Sequence, residues 1–267
     1  MNEETMRAGV EGNLVLDVIE HRSSTRKFAD IEITDAQREA ILHAASRAPS
    51  AGAMMMYSII DIRSRETLKR LSVLCDNQPF VATAPWALVF VADYCKWIDL
   101  FEHVGCFTPE FIERTGKQPR RDPGLGDLAI AAQDAVIAAQ TAAIAAEAVG
   151  VGSCYIGDIV ENAEEVGELL GLPPHTIPLS MLVFGAPHKV RPATPHPVVN
   201  LVMPERYVRA DAAVRDAQVA EMDAMFRPHA TEPGARVTDI YTRKHTSEFM
   251  AEMSRSMERW IANWLGR

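Results

Sequence analysis

DLAIAAQDAVIAAQTAAIAAEAV, residues 127–149, is the stretch on which the fold turns. It contains no glycine or proline and is dominated by alanine, the strongest helix former. At 1.5 Å per residue it makes a helix of roughly 35 Å. The segment is apolar almost all round, the pattern of a helix buried on most of its faces. Its alanines allow close approach by neighbouring elements, including the same helix of a second subunit. A membrane span is the competing reading. Gln133, Asp134, Gln140 and Glu147 interrupt the segment, and no basic flank sets an orientation. We therefore read a soluble core helix.

Downstream, residues 150–157 (GVGSCYIG) read as a turn and short strand, and residues 162–170 as a helix closed by Gly171 and Pro173. Residues 180–185 (SMLVFG) read as a buried strand, followed by the proline-rich APHKVRPATPHP. Residues 201–267 are more polar and end in an amphipathic helix over 248–265. Upstream, residues 14–22 form a short amphipathic helix. Thr34 and Gln37 make a capping box that opens a helix over 34–48, ended by Pro49-Ser50-Ala51-Gly52. Strands are expected at 57–62 and 87–92, with a helix at 66–74 between them. From 93 to 126 the chain makes an irregular excursion in which Trp97, Phe101, Phe107 and Phe111 alternate with charges. It reads as one or two short helices and a loop, either packed down on the core or covering a site. This irregular succession of helices and strands implies an α+β sandwich, not an alternating doubly wound fold. No repeat or low-complexity linker divides the 267 residues, which read as a single domain with a helical extension over 200–267.

The composition narrows the function. Apolar residues make up 48% and charged residues 24%, as in ordinary globular proteins. The net charge of −9 argues against a general nucleic-acid binder. Cys75, Cys95, Cys106 and Cys154 form no CxxC pair and the eight histidines are scattered, so no metal site is expected. The first twenty residues lack the apolar core of a signal peptide, which suggests a cytoplasmic protein. Gly150-Val151-Gly152 opens a GxGxxG match that fails at Tyr155 and follows a helix instead of a strand. Positive charge clusters twice, in Arg22-Ser23-Ser24-Thr25-Arg26-Lys27-Phe28 and in Lys189-Val190-Arg191-Pro192. The two clusters are either solvated surface charge or, together, a chelating site for a phosphate.

Five ordered segments resemble the motifs of the FMN-dependent nitroreductase family, in its oxygen-insensitive NAD(P)H nitroreductase and flavin reductase branch. Arg22, Ser24, Arg26 and Phe28 fill its amino-terminal Arg-x-Ser-x-Arg/Lys-x-Phe motif. Ala48-Pro49-Ser50-Ala51-Gly52 is similar to its Ala-Pro-Ser turn. Asn77-Gln78-Pro79-Phe80-Val81 is similar to a segment with a flavin-contacting amide. Gly150 to Gly157 resembles its Gly-x-Gly-x-x-Tyr-Ile-Gly turn, and Lys189-x-Arg191 its late Lys-Pro-Arg motif. The likeness runs from about residue 14 to 195.

The resemblance implies a three-layer α+β sandwich, with a mixed or antiparallel sheet between helices and the long helix in the core of a homodimer. It implies one FMN in each of two sites at the dimer interface. Arg22, Ser24, Lys189 and Arg191 would hold the phosphate, with Ser23 and His21 beside them. Arg26 and Gln78 would face the pyrimidine edge, and Tyr155, Ile156, Gly157 and Asp158 would approach N5. Pro49, Ser50 and Ala51 would come from the second subunit. Hydride would pass from NADH or NADPH through flavin N5 to a nitroaromatic, quinone or flavin acceptor in a ping-pong cycle. No side chain need act as the catalyst, and Arg26 and Asp158 would modulate. The alternatives are a specialised reductase on the same scaffold, such as a reductive dehalogenase or ene-type reductase, and a flavin-binding protein without turnover. Asp158 departs from the family turn and is either substrate-facing or a cap of the following helix. Met54, Met55 and Met56 are either core or an adaptable wall. Phe107, Phe111, Arg120 and Arg121 are candidates for acceptor or nicotinamide contacts, and Arg236 or Arg243-Lys244 for an NADPH phosphate.

Overall fold

The computed structural model describes residues 12–117, 120–189 and 201–267. Two compact units are distinguished, Met1–Pro192 with Met253–Arg267, and Ala193–Glu252. In the first unit α1 (Leu14–His21) is capped by Asn13, whose side chain accepts from Val15 and Leu16. Helix α2 (Asp35–Ser46) opens on the Thr34–Gln37 capping box foreseen from the sequence. There follow β1 (Tyr57–Ile62), α3 (Arg65–Leu74), the short α4 (Pro79–Thr83) and β2 (Trp86–Asp93). The excursion contains α5 (Cys95–His103) and α6 (Pro109–Thr115). The long helix α7 (Leu125–Ala148) leads to β3 (Gly152–Ile156), α8 (Ala163–Leu170) and β4 (Thr176–Gly185). The second unit contains α9 (Ala212–Phe226) and α10 (Ala235–Ile240), and α11 (Glu248–Trp264) ends the chain.

The four strands form an antiparallel sheet in the order β1-β2-β4-β3. Side chains alternate across a strand, so β2 and β4 feed two separate cores. Ala87, Val89, Val91, Met181 and Val183 join Leu68 and Leu71 of α3, Val166 of α8, and Trp260 and Trp264 of α11. Trp86, Leu88, Phe90, Leu182 and Phe184 face the other way, onto Ile41 and Ala45 of α2 and the alanines of α7. The result is three layers, with the sheet in the middle. Every residue of β2 is buried, as a strand covered on both faces requires.

Three details correct the sequence reading. Strand β4 starts at Thr176, four residues before the expected 180, and carries Pro178 in its interior. Proline gives no N–H to the ladder, and it pairs at the register shift between Phe90 and Val91, where the ladder is already irregular. Helix α4 was not anticipated; Pro79 at its first turn supplies the fixed φ that starts it. The long helix is less evenly buried than its composition suggests. Ala135, Ala138, Ala139, Ala142, Ala143 and Ala146 pack with the sheet, while Ile130, Val136 and Ile137 remain exposed. Small residues let α7 sit close to the sheet, and Ile130, Val136 and Ile137 face away from it.

Candidate active site

The basic segment after α1 is fastened to the sheet. Ser24 bridges to Ser153 of β3, and the Thr25 N–H donates to the Ser153 carbonyl at 2.9 Å. Phe28 bridges to Pro187 just beyond β4, Ala29 donates to Ala186 at 2.9 Å, and His188 donates to Lys27 at 3.1 Å. Two glycines make this approach possible. A Cβ on Gly152 would strike Thr25, and one on Gly185 would fall within the Phe28 ring. Residues 24–29 therefore act as a seam that holds the two ends of the candidate site to one sheet edge.

At one end lies a recess of about 120 Å³ lined by His21, Ser23, Thr25, Glu147, Gly152 and Lys189. His21 Nδ1 lies 2.7 Å from the Asp17 carbonyl, which can only accept, so the ring proton sits on Nδ1. Glu147 opposes the basic residues here. Burial pushes its carboxyl above the ordinary range, against the pull of Arg22 and His21. Ser24 is turned from the recess toward the Cys154 thiol, while burial pushes that thiol up. Ser23 and Thr25 present the recess hydroxyls instead. Arg191 lies outside the described residues.

At the other end the Arg26 guanidinium sits 5.9 Å above the Phe80 ring. Two residues before Phe80, Gln78 Nε2 donates to the Cys75 carbonyl at 3.0 Å and to Asp158 Oδ2 at 2.5 Å. Asp158 belongs to a single 3₁₀ turn, Gly157–Val160, in which its carbonyl accepts from Glu161. It does not cap α8, whose cap residue is Asn162 in a left-handed conformation. Gly157 is exposed, with open space where a side chain would stand. Ile156 is buried, and Tyr155 donates to Gln140 at 3.3 Å, its phenol pushed up to about 12 by burial.

The Pro49–Ala51 turn is organised by α7. Asp134, 2% exposed, accepts from the Ala51 N–H at 3.0 Å through Oδ1 and from the Met56 N–H at 3.1 Å through Oδ2. Ser50 Oγ accepts from Met55, and Gly52, Ala53 and Met55 all have positive φ. Met56 is buried, Met54 half-buried and Met55 exposed, so the three methionines divide between core and surface. Among the described residues this turn shares no hydrogen bond with the recess or with the Gln78–Asp158 pair. The excursion borders an open pocket of about 330 Å³ lined by Tyr94, Phe101, Phe107, Phe111, Arg120 and Arg121. Arg121 is held in a bidentate pair with Asp127 at 2.6 and 2.8 Å, and Arg120 lies 5.4 Å from the Phe107 ring. In the second unit Asp239 pairs with Arg227, Arg236 and Arg243, while Lys244 covers Phe249.

The structure thus brings His21, Ser23 and Lys189 to one recess and Gln78 and Asp158 to one hydrogen bond. The sequence reading had Thr25 only as part of the basic cluster, and it missed Glu147 in the recess. Glu147 carried a signal, as a carboxylate inside an apolar helix. It also missed the role of Asp134, another carboxylate in the same helix.

The nitroreductase family model matches residues 19–186. An oxygen-insensitive NADPH nitroreductase of Salmonella typhimurium is 36% identical over 205 residues, 75% of this chain and 78% of the relative. An FMN reductase (NADPH) of Bacillus subtilis is 33% identical over 175 residues, 66% of each chain. Among solved structures, nitroreductase A from Vibrio parahaemolyticus aligns with a TM-score of 0.76 at 25% identity, covering 94% of this chain and 98% of the other. The NADPH:FMN oxidoreductase of Vibrio harveyi in complex with NAD+ aligns with a TM-score of 0.74 at 25% identity, covering 93% and 98%.

Proposed function

The chain belongs to the nitroreductase family, and we propose that it is an FMN-dependent oxidoreductase that carries hydride from NADH or NADPH to a nitroaromatic, quinone or flavin acceptor. The observation that carries this reading is the seam, with a recess of basic and hydroxyl groups at one end, and at the other the Arg26 guanidinium over Phe80, close in sequence to the Gln78–Asp158 bond. The donor set fits FMN. Lys189, Ser23 and Thr25, with Arg22 at the end of α1, supply the cations and hydroxyls that a phosphate needs. Arg26 and Gln78 supply the polar groups for a heterocycle edge, and Gly157 leaves room for backbone to approach the ring. When bound, FMN supplies the hydride chemistry. The protein binds it, orients it and keeps a fixed positive charge at Arg26, which favours the electron-rich form.

The same reading makes the protein a homodimer. Leu14, Val15, Leu16 and Ile19 of α1 and Ile130, Val136 and Ile137 of α7 are exposed large apolar side chains, more than a lone surface comfortably leaves in water. A second copy of α7 would cover them, and Pro49, Ser50 and Ala51 would complete the partner's site. Helix α7 is long and apolar enough to cross a bilayer. The two main-chain donors bonded to Asp134 support a core helix instead, in a cytoplasmic enzyme. The aromatic pocket of the excursion favours a restricted range of acceptors. Within this scheme the motif-bearing residues 14–195 carry the flavin.

The visible spectrum of the purified protein tests the proposal. A band at about 450 nm that bleaches on anaerobic addition of NADH or NADPH is the expected result. A colourless protein that takes up no added FMN would refute it.

A further inference from the structure

The Gln78 amide is locked by its partners' chemistry. A backbone carbonyl accepts and never donates, and so does a carboxylate. The Gln78 amide stands between the Cys75 carbonyl at 3.0 Å and the Asp158 carboxylate at 2.5 Å. Both N–H groups are therefore committed, and the orientation of the amide follows from the hydrogen-bond network. The remaining polar atom, Oε1, has no hydrogen-bond partner among the described residues. Arg26, which offers only donors, lies over the ring of Phe80, two residues beyond Gln78.

We propose that Asp158 is a positioning residue that turns Gln78 so that this end of the site, which also carries Arg26, presents one acceptor. The complementary ligand edge has a ring N–H flanked by carbonyl oxygens, a cyclic imide. This rests on the FMN reading, in which that edge is the flavin pyrimidine and the N–H is N3. It also accounts for a carboxylate at the end of the site that carries Arg26. Asp158 acts on the ligand through the amide and need not touch it.

The test is fluorescence titration of apoprotein with FMN and with N3-methyl-FMN, which lacks the donor. Wild type should prefer FMN by at least about tenfold, the value of one hydrogen bond of ordinary strength. In Asp158→Ala the freed amide turns aside, and the preference should fall below about threefold. Asp158→Asn should retain the preference, because its side-chain carbonyl still accepts from Gln78. Gln78→Ala removes the acceptor itself and should also lose the preference, which provides a second reading if Asp158→Ala folds poorly. A uniform loss of affinity for both flavins in Asp158→Ala, with the ratio unchanged, would overturn the positioning role. A wild-type ratio near one would overturn the assignment of Oε1 as the acceptor. Wild type that binds neither flavin would overturn the FMN reading and this proposal with it.

Discussion

The two ends of the candidate site recognise by different means. The recess relies on charge. Its lining comes from three separate stretches of chain, around His21, Glu147 and Lys189, and it contains an acid as well as bases. The Gln78–Asp158 end relies on direction, because two donors are fixed by two acceptors at defined distances. A charge-based site falls off slowly with distance and accepts exchange among cations. A directional one fails when a single atom changes its hydrogen-bonding sense. The seam from 24 to 29 is the structural link between them.

The largest expected effect is confined to the recess. Arg22→Ala with Lys189→Ala should weaken FMN binding at least about 100-fold, since each charged hydrogen bond contributes about 1.5–3 kcal/mol. Riboflavin, which has no phosphate, should bind nearly as before. An equal loss for both ligands would break the distinction between the two ends. Gly185→Ala attacks the seam instead. The new methyl displaces Phe28, costing about 1–3 kcal/mol in overpacking, and thermal denaturation should show it. FMN and riboflavin should weaken together, because both ends lose their common support.

A pH series sharpens the comparison further. Burial raises the Glu147 pKa, so at low pH the recess contains a neutral acid and a phosphate meets no opposing charge. As pH rises through that ionisation the carboxylate appears, and FMN affinity should fall. Glu147→Gln should bind FMN about tenfold better than wild type at high pH, the effect of one nearby charge in a partly solvated site. At low pH the two should agree. The smallest effect is expected from Arg22→Lys, which keeps the charge. It should change FMN affinity by no more than about threefold, measured by the same titration.

Much of this fold was readable because its elements announce themselves locally. Tyr57–Ile62 was read with its observed bounds, and the Thr34–Gln37 box marked its helix. Helix α9 was not delimited within the helical extension, because its apolar residues form no clear face. Residues 180–185 gave only the second part of β4, since Pro178 reads as a strand breaker until its partner strand is known. For the candidate site the same division holds. His21 to Phe28 is legible as one contiguous cluster. The Gln78–Asp158 bond joins residues 80 apart, and Glu147 reaches the recess from the far end of a helix. Such meetings are made by tertiary packing, which no local pattern encodes. For the same reason Asp158 does not take one of its two expected roles, the cap of the following helix, which falls to Asn162.

The bonds from Asp134 also set a clock. The Ala51 and Met56 amides are bonded to a buried carboxylate on the long helix, while a run of positive-φ residues lies between them. The two ends of the turn are thus anchored in the core and its middle is not. Their protons should exchange with deuterium only when α7 itself opens, hours behind those of an ordinary surface loop. The slow-exchanging part of the molecule would then reach out of the core helix into the loop beside it, with a single side chain carrying it there.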